Sequence, residues 1–185
     1  MSLTIQIVAT SITLLAAVAT VYFAVRTRRD TAKQRRIQIL ALRRQYDSDL
    51  RRWADAACQS MTEAVFLCDL DPGKLPAGEF FNKRHNLLST LSTLADQGRW
   101  FLPNVHEDAH GHHKPVAFRG FRQPSLDCVV GAHRLVAKMD YRRQTPNLEI
   151  RPKLVELKRS FVSELQKILD PREKEKETLN LLTRA

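Results

Sequence analysis

Leu3 and Val25 bound a run, residues 3–25, that carries no charged side chain, and the first charge of the chain is Arg26. No other feature constrains the fold as strongly. At ~1.5 Å per residue, such a run reaches ~34 Å as a helix, against a bilayer hydrocarbon core of ~30 Å. Its polar members (Thr4, Gln6, Thr10, Ser11, Thr13 and Thr20) are uncharged, and Ser and Thr hydroxyls can bond back to the helix backbone. The run therefore predicts a single N-terminal transmembrane helix. A cleaved signal peptide fits less well, because there is no basic n-region and arginines stand where a small-residue cleavage site belongs.

Orientation follows from the flanking charge. Arg26, Arg28, Arg29, Lys33, Arg35 and Arg36 follow the run, and only the amino terminus precedes it. The positive-inside bias then predicts a single-pass protein of the cell membrane, with its amino terminus outside and residues 26–185 in the cytoplasm. Cys58, Cys68 and Cys128 are an odd number without paired spacing, as a reduced compartment tolerates. They read as small apolar residues. A spacing of Ala9, Thr13, Ala16, Thr20 and Ala24 along one helix face allows a homodimer through the span.

All 30 Lys and Arg and all 20 Asp and Glu lie beyond the apolar run, so the net charge of +10 belongs to the remainder of the chain. An anionic lipid bilayer accounts for that excess more simply than nucleic acid does. No nucleic-acid motif is present, and the bases mix with acids after residue 38. A protein partner is expected and a nucleic-acid partner is not.

Beyond the basic juxtamembrane segment, residues 26–38, the pattern is helical. Ile39, Leu42, Tyr46, Leu50, Trp53, Ala57, Met61, Ala64 and Cys68 recur in eight steps over 29 residues, a period close to 3.6. No Pro or Gly interrupts residues 1–71, so this helix and the apolar run read as one rod that Asp71-Pro72-Gly73 ends. Further helices are expected over 79–97 with Gly98 as the C′ residue, over 125–142 with Ser125 as N-cap, and over 148–169, where Pro152 is tolerable only in a first turn. No strand alternation of useful length appears. The fold class is thus all-α: an anchor over 1–25 and a cytoplasmic bundle of about four helices over 39–170. A loop at 103–124 interrupts the bundle, and a charged tail at 171–185 follows it.

That loop holds the chemistry-bearing residues. His106-Glu107-Asp108-Ala109-His110 is a literal H-E-x-x-H, which on a helix sets two imidazoles on one face for zinc with a Glu as general base. Pro103 and Gly111 leave about two turns for it, and no third ligand has a defined placement. An exposed polar loop is therefore favoured over zinc and over a metal-dependent enzyme. In the second half, Lys114, Arg119 and Arg122 surround Phe118, Gly120 and Phe121. The aromatics are expected to pin the loop while the cations face outward, where two guanidiniums suit a phosphate or a lipid headgroup. The competing and favoured reading pairs these arginines with Asp96 or Asp127. No Walker loop, dinucleotide fingerprint, G-x-S-x-G or kinase set occurs. The leading functional expectation is a protein-interaction, scaffold or regulatory module. The catalytic residues, if any exist, are unknown.

Overall fold

A computed structural model describes residues 2–105 and 111–183, with side chains described for residues 17–105, 111–176 and 179. Five helices follow in order: α1 (Ser2–Asp69), α2 (Glu79–Phe101), α3 (Pro124–Ala137), α4 (Thr145–Leu169) and α5 (Pro171–Thr183), with 3-10 turns at Pro72–Lys74 and Val116–Phe118. The all-α expectation holds.

The membrane anchor does not. Among the described residues, no helix is long and apolar enough to cross a membrane. Of the apolar run, only residues 17–25 have described side chains. Residues 3–16 lie outside the described side chains, as do Ala9, Thr13 and Ala16 of the small-residue stripe. The single-pass topology, the outward amino terminus and the cytoplasmic assignment all rested on that anchor and fall with it.

The chain divides into two compact units. Residues 1–46 and 178–185 form the first, and residues 47–177 form the second. In the second unit, residues 47–69 of α1 pack with α2, α3 and α4 around one core. Leu50, Ala57, Met61, Ala64 and Cys68, expected on one stripe, are all fully buried. Leu91, Leu126, Val129, Val136, Leu154 and Phe161 meet them from the other helices.

Trp53 sets how closely α1 approaches α2. Its indole Nε1 donates to the Leu94 carbonyl at 2.9 Å, and its ring lies 5.9 Å from that of Phe161 and 6.4 Å from that of Phe101. Gly98 stands one turn beyond Leu94, inside α2, which continues to Phe101 rather than ending at residue 97. A Cβ at position 98 would stand 2.6 Å from Trp53 Cζ2 and 2.6 Å from Leu126 Cδ1. Gly98 is therefore a close-approach position and not the helix terminator its composition suggested.

Side chains from neighbouring helices close the helix ends. Arg84 of α2 donates to the carbonyls of Val136 and Ala137, where cationic charge suits the C-terminal end of α3. Gln144 donates to the Asp69 carbonyl at 2.9 Å, and Arg151 pairs with the Asp69 carboxylate at 2.8 Å, closing α1. α3 stops at Ala137, short of residue 142, because the fully buried Asn147 organises the chain that follows. Asn147 Oδ1 accepts from Asp140 N at 2.7 Å, and its Nδ2 donates to the carbonyls of Asp140 and Arg143 at 2.8 and 3.3 Å. Gln123 rather than Ser125 is the N-cap of α3, and Ser125 Oγ is buried without a partner among the described residues. α4 begins at Thr145, which leaves Pro152 inside the helix on an exposed face. The charged tail at 171–185 begins as α5 (Pro171–Thr183), with Glu173 in its first turn.

Candidate functional site

The connection between α2 and α3 is built, not slack. Val105 and Phe121 exchange both backbone hydrogen bonds, at 2.8 and 2.9 Å, and so clasp its two ends as an isolated antiparallel bridge. Asn104 Nδ2 donates to the Arg119 carbonyl at 2.9 Å, beside the clasp. Gly120, with φ 77°, gives the left-handed backbone that turns the chain into it. The 3-10 turn at Val116–Phe118 then sets the Phe118 ring against Arg99 of α2, whose guanidinium carbon lies 4.4 Å from the ring centroid.

These contacts border an open pocket of about 350 Å³ lined by Arg99, Asn104, Lys114, Phe118, Arg122 and Asp127, among others. Lys114 and Arg122, named from the sequence, therefore share a site. Arg119 does not line it; its Nε donates to the Lys114 carbonyl at 3.0 Å and so holds the loop's shape. Arg122 Nε donates to Asp127 Oδ1 at 2.6 Å, one of the two acids expected to take such a pairing. The other, Asp96, stands 3.8 Å from Arg99 Nε.

Arg99 and Asn104 carried no sequence signal. A lone arginine near a helix end resembles any solvated one, and only the fold places residue 99 under a ring nineteen positions later.

His106, Glu107 and His110 lie outside the described residues. Among the described residues, no group of His, Cys, Asp or Glu could hold a metal ion. The thiols are placed for packing. Burial, followed by the neighbouring Asp69 charge, pushes Cys68 up to about 11. Burial, followed by Asp127, also raises Cys128. Both are poor nucleophiles for that reason.

A second feature lies on the first unit. Between residues 26 and 46 there are eight Lys or Arg and a single acid, Asp30. Arg26, Arg29, Lys33, Arg36, Arg43 and Arg44 fall within an arc of about 100° on α1. Next to that arc runs an apolar ridge of Ile39, Leu42 and Tyr46, which are 49%, 70% and 44% exposed. The ridge has the same period as the buried stripe of the second unit, but its Ile39 and Leu42 are about half or more exposed.

No family model matches this chain, and no curated protein or solved structure is similar to it.

Proposed function

We propose that the protein is an interaction module whose recognition element is the exposed stretch of α1 over residues 26–46, laid into an acidic, apolar groove of a partner protein. The observation that carries this reading is the pairing, on one helix, of an almost acid-free basic face with the exposed apolar side chains of Ile39 and Leu42. A basic amphipathic helix is a known mode of helix-in-groove recognition. Charge alone suits any polyanion, and nucleic acid is the usual alternative. Phosphate backbones have nothing to bury against Ile39 and Leu42, whereas a protein groove covers that ridge while its carboxylates meet the arginines. Burying a Leu or Ile side chain contributes roughly 1.5–3 kcal/mol. The ridge thus supports a protein groove over a phosphate backbone.

The test titrates the full chain against three probes at two salt concentrations. These are calcium-loaded calmodulin, an acidic protein whose apolar groove accepts helices, a double-stranded DNA, and vesicles containing anionic lipid. Two variants accompany it: Arg29, Lys33, Arg36 and Arg43 all changed to Glu, and Ile39→Ser with Leu42→Ser. The reading expects the protein probe to bind most tightly and both variants to weaken it. Tightest binding to DNA or to vesicles, or binding indifferent to the Ile39/Leu42 change, overturns it.

A further inference from the structure

The pocket beside α2 is independent of the α1 surface and is built from different residues. Among the described residues, three cations, Arg99, Lys114 and Arg122, line it against one carboxylate, Asp127. Its volume of about 350 Å³ falls within the range of small-molecule sites, ~300–1,000 Å³.

Arg99 is its unusual member. The side chain keeps only 14% of its exposure, and its Nε has no hydrogen-bond partner among the described residues. Asn104 Oδ1 accepts from Nη1 at 3.5 Å, at the outer limit of a hydrogen bond. Among the described residues the nearest carboxylate, Asp96, is 3.8 Å away and 69% exposed, so water screens much of its charge. Phe118 covers one guanidinium face. Buried cations are normally answered by a close anion, and this one is answered weakly. Arg122 is held by Asp127, but 54% of the Asp127 side chain is exposed, so an incoming anion can compete for that guanidinium.

We infer that this pocket is a phosphate site, with Arg99 and Lys114 as the principal binding groups and Arg122 exchanging Asp127 for the ligand. A phosphoryl group brings up to two negative charges and three strong acceptor oxygens, which meet donors arriving from α2 and from the loop together. A carboxylate brings one charge and two oxygens in one plane and satisfies fewer of them. The chemistry fits inorganic phosphate and a small phosphate monoester alike.

Amide chemical shifts of the full chain decide the matter, titrated with inorganic phosphate, glycerol 3-phosphate and acetate at constant ionic strength. Saturable shifts at Gly120, Phe121 and Arg122 with both phosphates and not with acetate are expected. Tighter binding of glycerol 3-phosphate identifies the ester as the ligand class, and tighter binding of inorganic phosphate identifies the free ion. Arg99→Gln is expected to weaken binding about tenfold or more, as loss of a charge-assisted hydrogen bond does, and Lys114→Gln several-fold. Should Arg99→Gln lose its fold by circular dichroism, the exposed Lys114→Gln decides alone. Absence of saturation, equal shifts with acetate, or wild-type affinity in the folded variants overturns the assignment.

Discussion

Gly98→Ala is the substitution on which the packing argument can be tested most sharply, because two general effects predict opposite signs. In a solvated helix the change would stabilise by about 0.8–1 kcal/mol, the difference in helix propensity. Here the new methyl would lie 2.6 Å from Trp53 Cζ2, 2.6 Å from Leu126 Cδ1 and 3.1 Å from Trp53 Cε2. Those approaches are ~1 Å inside the optimum for carbon contacts. Leu126 can turn its methyl aside, but the indole cannot move freely, since Nε1 is tied to the Leu94 carbonyl at 2.9 Å. Overpacking of a filled core costs about 1–3 kcal/mol, and releasing the indole hydrogen bond about 0.5–1.5 kcal/mol more. Set against the propensity gain, a net loss of about 1–3 kcal/mol is expected, with a fall in Tm of ~2–4 °C per kcal/mol for a chain of this size. Urea unfolding followed by far-ultraviolet circular dichroism measures it. Trp53→Phe removes the clashing ring, so Gly98→Ala is expected to cost at least about 1 kcal/mol less in that background, a coupling that direct contact produces. A Gly98→Ala protein as stable as wild type, or costs that simply add in the double variant, would refute the reasoning.

Other consequences can be checked with the same preparations. Asn147→Ala strips the α3–α4 connection of three hydrogen bonds, and urea unfolding should show a loss of roughly 2–4 kcal/mol, since the backbone groups left behind are partly buried. Pro152→Ala restores an amide inside α4 on an exposed face and should raise stability by about 1–2 kcal/mol in the same assay, after the unfolded-state entropy that proline removes. Cys58, partly exposed, should react with a disulfide reagent at pH 8 well before Cys68 and Cys128, which are buried and whose raised pKa values keep them as thiols; equal rates for all three would contradict the core described above. Asp140, whose pKa is lowered first by the Arg142 amide and then by Arg143, contributes stability at neutral pH. That contribution is lost as pH falls below the ordinary carboxylate range, so the acid limb of the stability profile should flatten in Asp140→Asn.

The repeating stripe of α1 shows what periodicity can and cannot report. Leu50 to Cys68 and Ile39 to Tyr46 obey one spacing, yet the former are buried and the latter exposed. A helical period defines a face, and only the other elements determine how far along the helix that face is covered. Glycine and serine misled for a related reason. Gly98 and Ser125 are common terminator and cap residues, but both were claimed by core packing against Trp53 and Leu126 or by burial itself. Asn147 is one polar residue among many, and its three hydrogen bonds go to the turn between α3 and α4, whose path no local pattern announces. The loop cations were legible because Lys114, Arg119 and Arg122 crowd around two phenylalanines within nine residues. Their division of labour was not, since Arg99 reaches the pocket from another helix. The apolar opening run misled in another way: its composition suits a bilayer, while no helix among the described residues has the apolar length to cross one.

The account turns on what the 26–46 surface of α1 touches, and a photo-crosslinking amino acid placed at Leu42 in the full chain reports that directly in cells of the source organism. Mass spectrometry of the adduct is expected to give one discrete protein, crosslinked through an acidic segment, that disappears when Arg29, Lys33, Arg36 and Arg43 are changed to Glu. An adduct of lipid or nucleic acid, or a protein adduct unaffected by the charge reversal, would contradict it.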